Sequence, residues 1–147
     1  MPGYKGHVVG GLAAFGLLHC LLAPFNPTFL TSFEWLLCAL FGALFPDIDI
    51  KSRGQNIFYS LLAVFYAVVL MLGKIAWSPF FVVAALFPMI VSHRGLSHRV
   101  WFAVLVSIGF GLGLSTYCPS CTQAAYFNAL FLGVGMLSHL MLDKWIS

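Results

Sequence analysis

The chain has 147 residues, of which 61% are hydrophobic and 7% charged, with a formal net charge of +3. A soluble domain is typically about 45–50% apolar and about 25% charged, so these proportions exclude an ordinary water-soluble globule. They also exclude intrinsic disorder, which needs low hydrophobicity and high charge, and the few Lys and Arg form no basic run that would serve a nucleic acid.

The composition reads as one domain over residues 1–147, an all-α polytopic membrane bundle of about six helices. A spanning helix needs roughly 20 apolar residues. The apolar runs do not alternate with polar residues, which argues against strands. Helices also satisfy their own backbone hydrogen bonds in lipid. The first segment, Val8–Ala23, is rich in Gly, which points to close helix packing around Gly10 and Gly11. Its shape after Lys5 resembles a signal peptide, but bulky His19 stands where cleavage needs a small residue. Pro24-Phe25-Asn26-Pro27 ends it. The second segment, Leu30–Phe45, carries Glu34 near its start and stops at Pro46. The third, Ile57–Leu72, and the fourth, Ile75–Val91, are separated by Gly73-Lys74, and the fourth contains Pro79 and Pro88. The fifth is Val100–Tyr117. Cys118-Pro119-Ser120-Cys121 separates it from the sixth, Ala124–Leu142.

Alternating six spans puts the N-terminus, the connections at 46–56 and 92–99, and the C-terminus on one side. Lys5, Lys51, Arg53, Arg94, Arg99 and Lys144 fall there, and Lys74 alone falls on the other. The positive-inside rule then makes that side cytoplasmic, with both termini inside.

The same side collects the chemistry. Asp47, Asp49 and Asp143 lie there with His7, His93, His98 and His139, delivered by four separate stretches of chain. Ionisable groups at a membrane boundary are costly and face a bundle interior or a cavity. His139 and Asp143 are four apart, so they share a helix face. Asp47 and Asp49 point the same way if the chain is extended there. His93 and His98 need Gly95 to break the helix before both rings can converge. Imidazole and carboxylate without thiolate suit Zn(II), and also Mn(II) or Fe(II). Seven such side chains exceed the needs of one four-coordinate ion, so two or more ions are expected. Asp47 or Asp49 would bridge ions or act as general base. Arg94 is the candidate holder of a phosphate or other oxyanion, because guanidinium donors match its oxygens.

Other polar residues have plainer readings. His19 reads as a hydrogen-bonded core residue, and Cys20 and Cys38 as buried packing. Ser138, beside His139, reads as a supporting or packing group. Cys118 and Cys121 have redox spacing but lack a thioredoxin-like context; in an oxidising compartment they could form a local disulfide, and the sequence leaves that open.

In order, Gly6-His7, Pro46-Asp47-Ile48-Asp49, His93-Arg94-Gly95-Leu96-Ser97-His98 and Ser138-His139 followed by Asp143 form a set. The set resembles the bacterial inner-membrane family of predicted metal-dependent hydrolases, of the LexA-regulated type, over nearly the whole chain. That family is distantly similar to the helical zinc-dependent phospholipase C group. The resemblance implies a multi-zinc site in the inner membrane, with His7, Asp47, Asp49, His93, His98, His139 and Asp143 as ligands. It also implies hydrolysis of a phosphoester, including that of a membrane lipid. Many relatives continue after the last Asp with Thr-Pro and a Gly; here Lys144-Trp145-Ile146-Ser147 follows, so the substrate class stays open. The alternative reading is a metal-ion transporter or sensor without hydrolytic activity.

Overall fold

A computed structural model describes residues 4–47, 53–71, 73, 82, 85–86 and 98–146. Five α-helices lie within these residues: α1 Tyr4–Leu21, α2 Phe29–Leu44, α3 Arg53–Met71, α4 Val100–Tyr117 and α5 Thr122–Ile146. Among the described residues there is no strand. Stretches long and apolar enough to cross a membrane include Phe29–Asp47, Val100–Tyr117 and Pro119–Lys144. The expected fourth segment, Ile75–Val91, falls almost entirely outside the described residues.

The local chemistry sets the helix ends. α1 closes into a short 3-10 turn at Ala23–Phe25, and Asn26 then takes a left-handed conformation with φ 48°. Asn tolerates that region better than most side chains. Thr28 caps α2 by accepting a hydrogen bond from the Thr31 N–H at 3.2 Å. At the other end Pro46 lacks the N–H that would extend the α2 ladder, and the chain tightens into a 3-10 turn over Phe45–Asp47. Asp47 therefore closes a helical turn; the stretch from Ile48 to Asp49, on which the expected shared direction of the two carboxylates depends, lies outside the described residues. A further 3-10 turn at Pro119–Cys121 reverses the chain between α4 and α5.

α5 is the central helix and packs on α1, α2 and α4. Against α2 it runs parallel, in rows four residues apart. Trp35 stacks on Phe131 with centroids 4.8 Å apart, Ala39 meets Gly135, and Ala43 meets His139. The closeness of this pair depends on two glycines. A Cβ on Gly135 would collide with the Ala39 carbonyl, and one on Gly42 with the Leu132 carbonyl. α1 and α4 run antiparallel to α5. Gly10 faces Leu142, and Gly111 faces Ala129. Gly11 in turn faces Ala43 of α2.

Two buried apolar clusters follow. Trp35, Ala39 and Phe131 form one with Phe15 and Phe127 around them. Phe102, Ala103 and Met136 form the other, packed by Phe45, Leu137 and Leu140. α3 joins at the side through Phe58, whose ring meets Phe41 edge-on at 5.3 Å. Many large apolar side chains point outward, among them Leu17, Leu21, Phe29, Leu30 and Leu105. In water such a surface would aggregate; on membrane-spanning helices it faces lipid.

Candidate metal centre

The parallel α2–α5 pair and the antiparallel α1 and α4 bring four chain ends to one end of the bundle. The first turn of α1 supplies His7, and the 3-10 turn after α2 supplies Asp47. His98 stands just before α4, and the last two turns of α5 supply His139 and Asp143. The sequence expectation had placed all five on one side.

Three imidazoles face two carboxylates. The Nε2 atoms of His98 and His139 each lie 3.2 Å from Asp143 Oδ2. The same atoms lie 3.8 and 3.6 Å from Asp47 Oδ1. His7 Nε2 lies 3.5 Å from Asp143 Oδ1 and 3.7 Å from Asp47 Oδ2. Most of these separations are too long for a hydrogen bond. One ligand atom from each of Asp47, His98, His139 and Asp143 falls within 4.8 Å of the other three, so the four could hold a metal ion. His7 sits at their edge, its ring stacked on His139 at 3.8 Å.

The tautomer of His139 follows from its surroundings. Its Nδ1 lies 2.8 Å from the Ala43 carbonyl, and a carbonyl only accepts, so Nδ1 carries the proton. Ala43 lies in the last turn of α2, where helix carbonyls run out of partners. When the ring is neutral, its lone pair then lies at Nε2. That atom is buried and has no hydrogen-bond partner, and the same holds for Asp143 Oδ1 and His7 Nδ1. A nitrogen lone pair aimed at two carboxylates is unfavourable unless a cation lies between them. A carbonyl behind a ligating imidazole is also the usual support for a metal-bound His. The donor set thus fits a divalent ion, whose charge would offset the two carboxylates.

The site is closed on one side and open on the other. His7 and His139 are 1% and 0% exposed, whereas the Asp47 side chain is 33% exposed and that of His98 27%. Access is therefore past Asp47 and His98. The remaining expected residues, Asp49, His93 and Arg94, lie outside the described residues.

His19 stands apart. Its Nε2 is 2.9 Å from Ser32 Oγ and its ring meets Trp35 edge-on, near the opposite end. Ser138 turns its hydroxyl to the Gly135 carbonyl at 2.7 Å. Cys118 and Cys121 are disulfide-bonded at the opposite end. Cys20 is exposed on α1, which corrects the expectation of a buried packing residue; Cys38 is half-buried. The Ala43 carbonyl and the Gly42 and Gly135 contacts were not anticipated. A carbonyl carries no side-chain signal. The glycines leave only a trace, Gly135 lying one turn before His139 and Gly42 beside Ala43.

No curated protein and no solved structure gives a match to the chain. The family model described as YdjM inner membrane protein matches residues 1–147 of the chain. The chain therefore belongs to the YdjM inner membrane protein family.

Proposed function

We propose that this chain is a membrane-embedded, metal-dependent hydrolase that cleaves phosphoester bonds, with zinc as the preferred ion. The observation that carries the reading is His139 Nε2, buried against Asp47 and Asp143 with no hydrogen-bond partner. Imidazole and carboxylate donors without thiolate suit Zn(II), with Mn(II) and Fe(II) as competitors. The seven-residue ligand set read from the sequence would hold two or more ions.

A bound divalent ion supplies Lewis-acid polarisation of a phosphoryl oxygen and makes water acidic near neutral pH. His139, fixed by Ala43, and His7, stacked on it, hold the closed side rigid. Asp143 reaches all three imidazoles and anchors the centre. Asp47 is the more exposed carboxylate, placed to take a proton from incoming water. Asp49 shares that role in the sequence reading, and Arg94 would hold the phosphoryl oxygens.

The centre lies at helix ends. A transporter typically binds its ion near the bilayer midplane, which favours catalysis at the membrane boundary. We place this end in the cytoplasm, with both termini inside. Six of the seven Lys and Arg fall on this side of a six-span topology. The disulfide at the opposite end suits an oxidising compartment outside the cytoplasm.

The test is turnover of a soluble chromogenic phosphoester by the full chain in detergent. Activity removed by chelator, restored by zinc and abolished in Asp143→Asn is expected. Activity that is insensitive to chelator, or unchanged in Asp143→Asn, would refute the reading.

A further inference from the structure

A disulfide joins Cys118 and Cys121 in the turn between α4 and α5. α5 has 25 residues, a length of about 38 Å at 1.5 Å per residue. The hydrocarbon of a bilayer is roughly 30 Å thick. The turn that precedes α5 therefore stands at the water-facing boundary, at the end opposite the His/Asp centre. There Cys118 is half-buried, and Pro119, Ser120 and Cys121 are exposed.

The turn holds its shape without this bond. The Cys118 N–H donates to the Leu114 carbonyl at 2.8 Å, and the Cys121 N–H to the Cys118 carbonyl at 2.9 Å. The Thr122 hydroxyl donates to the Pro119 carbonyl at 2.7 Å. Further along the pair, Gly111 meets Ala129 and keeps α4 against α5. A cross-link between residues three apart also closes too small a loop to restrict the unfolded chain much. Opening the disulfide thus leaves both sulfurs in place, as reversible exchange requires. Exposed disulfides are also the ones that exchange readily.

The two sulfurs are not equivalent. Cys121 is the more exposed residue, whereas Cys118 stands at the N-terminal cap of the 3-10 turn that runs into α5. Ser120 Oγ lies 3.3 Å from Cys118 Sγ and 3.9 Å from Cys121 Sγ. Neither sulfur of a disulfide carries a hydrogen, so the hydroxyl is the donor. Once the bond opens, the same hydroxyl is placed to donate to a thiolate at Cys118. Cys121 is therefore the sulfur open to attack and Cys118 the leaving one. No charged residue lies between Thr116 and Tyr126, so the local sequence offers no cation to the carboxylates of glutathione. Exposed Tyr117 and Pro119 instead offer ring surface to a polypeptide.

We propose that Cys118 and Cys121 form a thiol–disulfide exchange site that oxidises paired thiols of another polypeptide. A partner thiolate attacks Cys121 Sγ. The Cys118–Cys121 bond breaks, a mixed disulfide forms, and Cys118 leaves as a thiolate that takes a proton from water. The partner's second thiolate then attacks the partner's own sulfur in the mixed disulfide. Cys121 leaves as a thiolate and is protonated, and the partner keeps the new disulfide. Two electrons and two protons pass to this chain, and a single round needs no other oxidant. The site uses none of the residues of the His/Asp centre.

The experiment uses the full chain in detergent, with free thiols alkylated and mapped by mass spectrometry. In glutathione buffers of rising reduced-to-oxidised ratio, the pair is expected to pass from disulfide to dithiol, whereas a structural disulfide resists the glutathione pool. A synthetic peptide with two reduced cysteines should be oxidised in step with reduction of the pair, and not by Cys118→Ser. Ser120→Ala should slow this transfer several-fold with its unfolding temperature unchanged. A pair that stays oxidised in every buffer, or that titrates without oxidising the peptide, would overturn the proposal. An unchanged transfer rate in Ser120→Ala would overturn the assignment of Cys118 as the leaving sulfur.

Discussion

Replacing Gly135 by Ala alters no polar atom, yet it should weaken metal binding. The added Cβ would collide with the Ala39 carbonyl. Carbon and oxygen atoms rest at about 3.3–3.6 Å in close helix contacts, so α2 and α5 must part by about 1 Å. His139 lies one turn further along α5, and its Nδ1 is 2.8 Å from the Ala43 carbonyl. A parting of that size takes the pair beyond the roughly 3.2 Å limit of a good hydrogen bond. The imidazole then loses the support that fixes its tautomer and aim. Losing such support typically costs about 10–100-fold in metal affinity. Overpacking should add a stability loss of about 1–3 kcal/mol. The assay is zinc titration of chelator-stripped protein in detergent, beside thermal unfolding. Gly109→Ala is the control, because no atom lies within 4 Å of the Cβ it would add. An unchanged zinc affinity in Gly135→Ala would refute the claim that this close approach builds the site.

Further expectations concern individual groups. Asp143→Asn should remove most bound metal, since Asp143 faces all three imidazoles; elemental analysis of the purified variant checks it. Metal affinity should fall as the pH is lowered from about 8 to about 5, because protons compete for the ligand lone pairs. Equilibrium dialysis across that range reads the effect, and an affinity that rises on acidification would contradict the ligand assignment. His19→Ala should leave metal content unchanged and cost about 1 kcal/mol through loss of the Ser32 hydrogen bond. Thr28→Ala should likewise spare the metal and lower stability by about 1 kcal/mol, as loss of a helix cap does.

The membrane class was legible because apolar content and segment length alone demand lipid. His139 and Asp143 were legible as a pair because helix periodicity fixes a spacing of four. The convergence of His7, Asp47, His98 and α5 followed from alternating short connections, which leave few ways to arrange the helices. The conformation at Asp47 was not legible. An Asp after Pro is compatible with extended chain or with a helical turn, and packing decides between them. The parallel register of α2 on α5 was not legible either. It depends on glycine-to-carbonyl contacts between segments distant in sequence, and it sets the hydrogen bond that orients His139. Asp49, His93 and Arg94 remain sequence assignments.

The most direct test of the metal centre is X-ray absorption on protein purified without a polyhistidine tag, with elemental analysis of the same sample. Near-stoichiometric divalent metal in a nitrogen and oxygen shell is expected, with imidazole scattering that diminishes in His139→Ala. Protein that takes up no metal after reloading, or metal bound through sulfur, would contradict it.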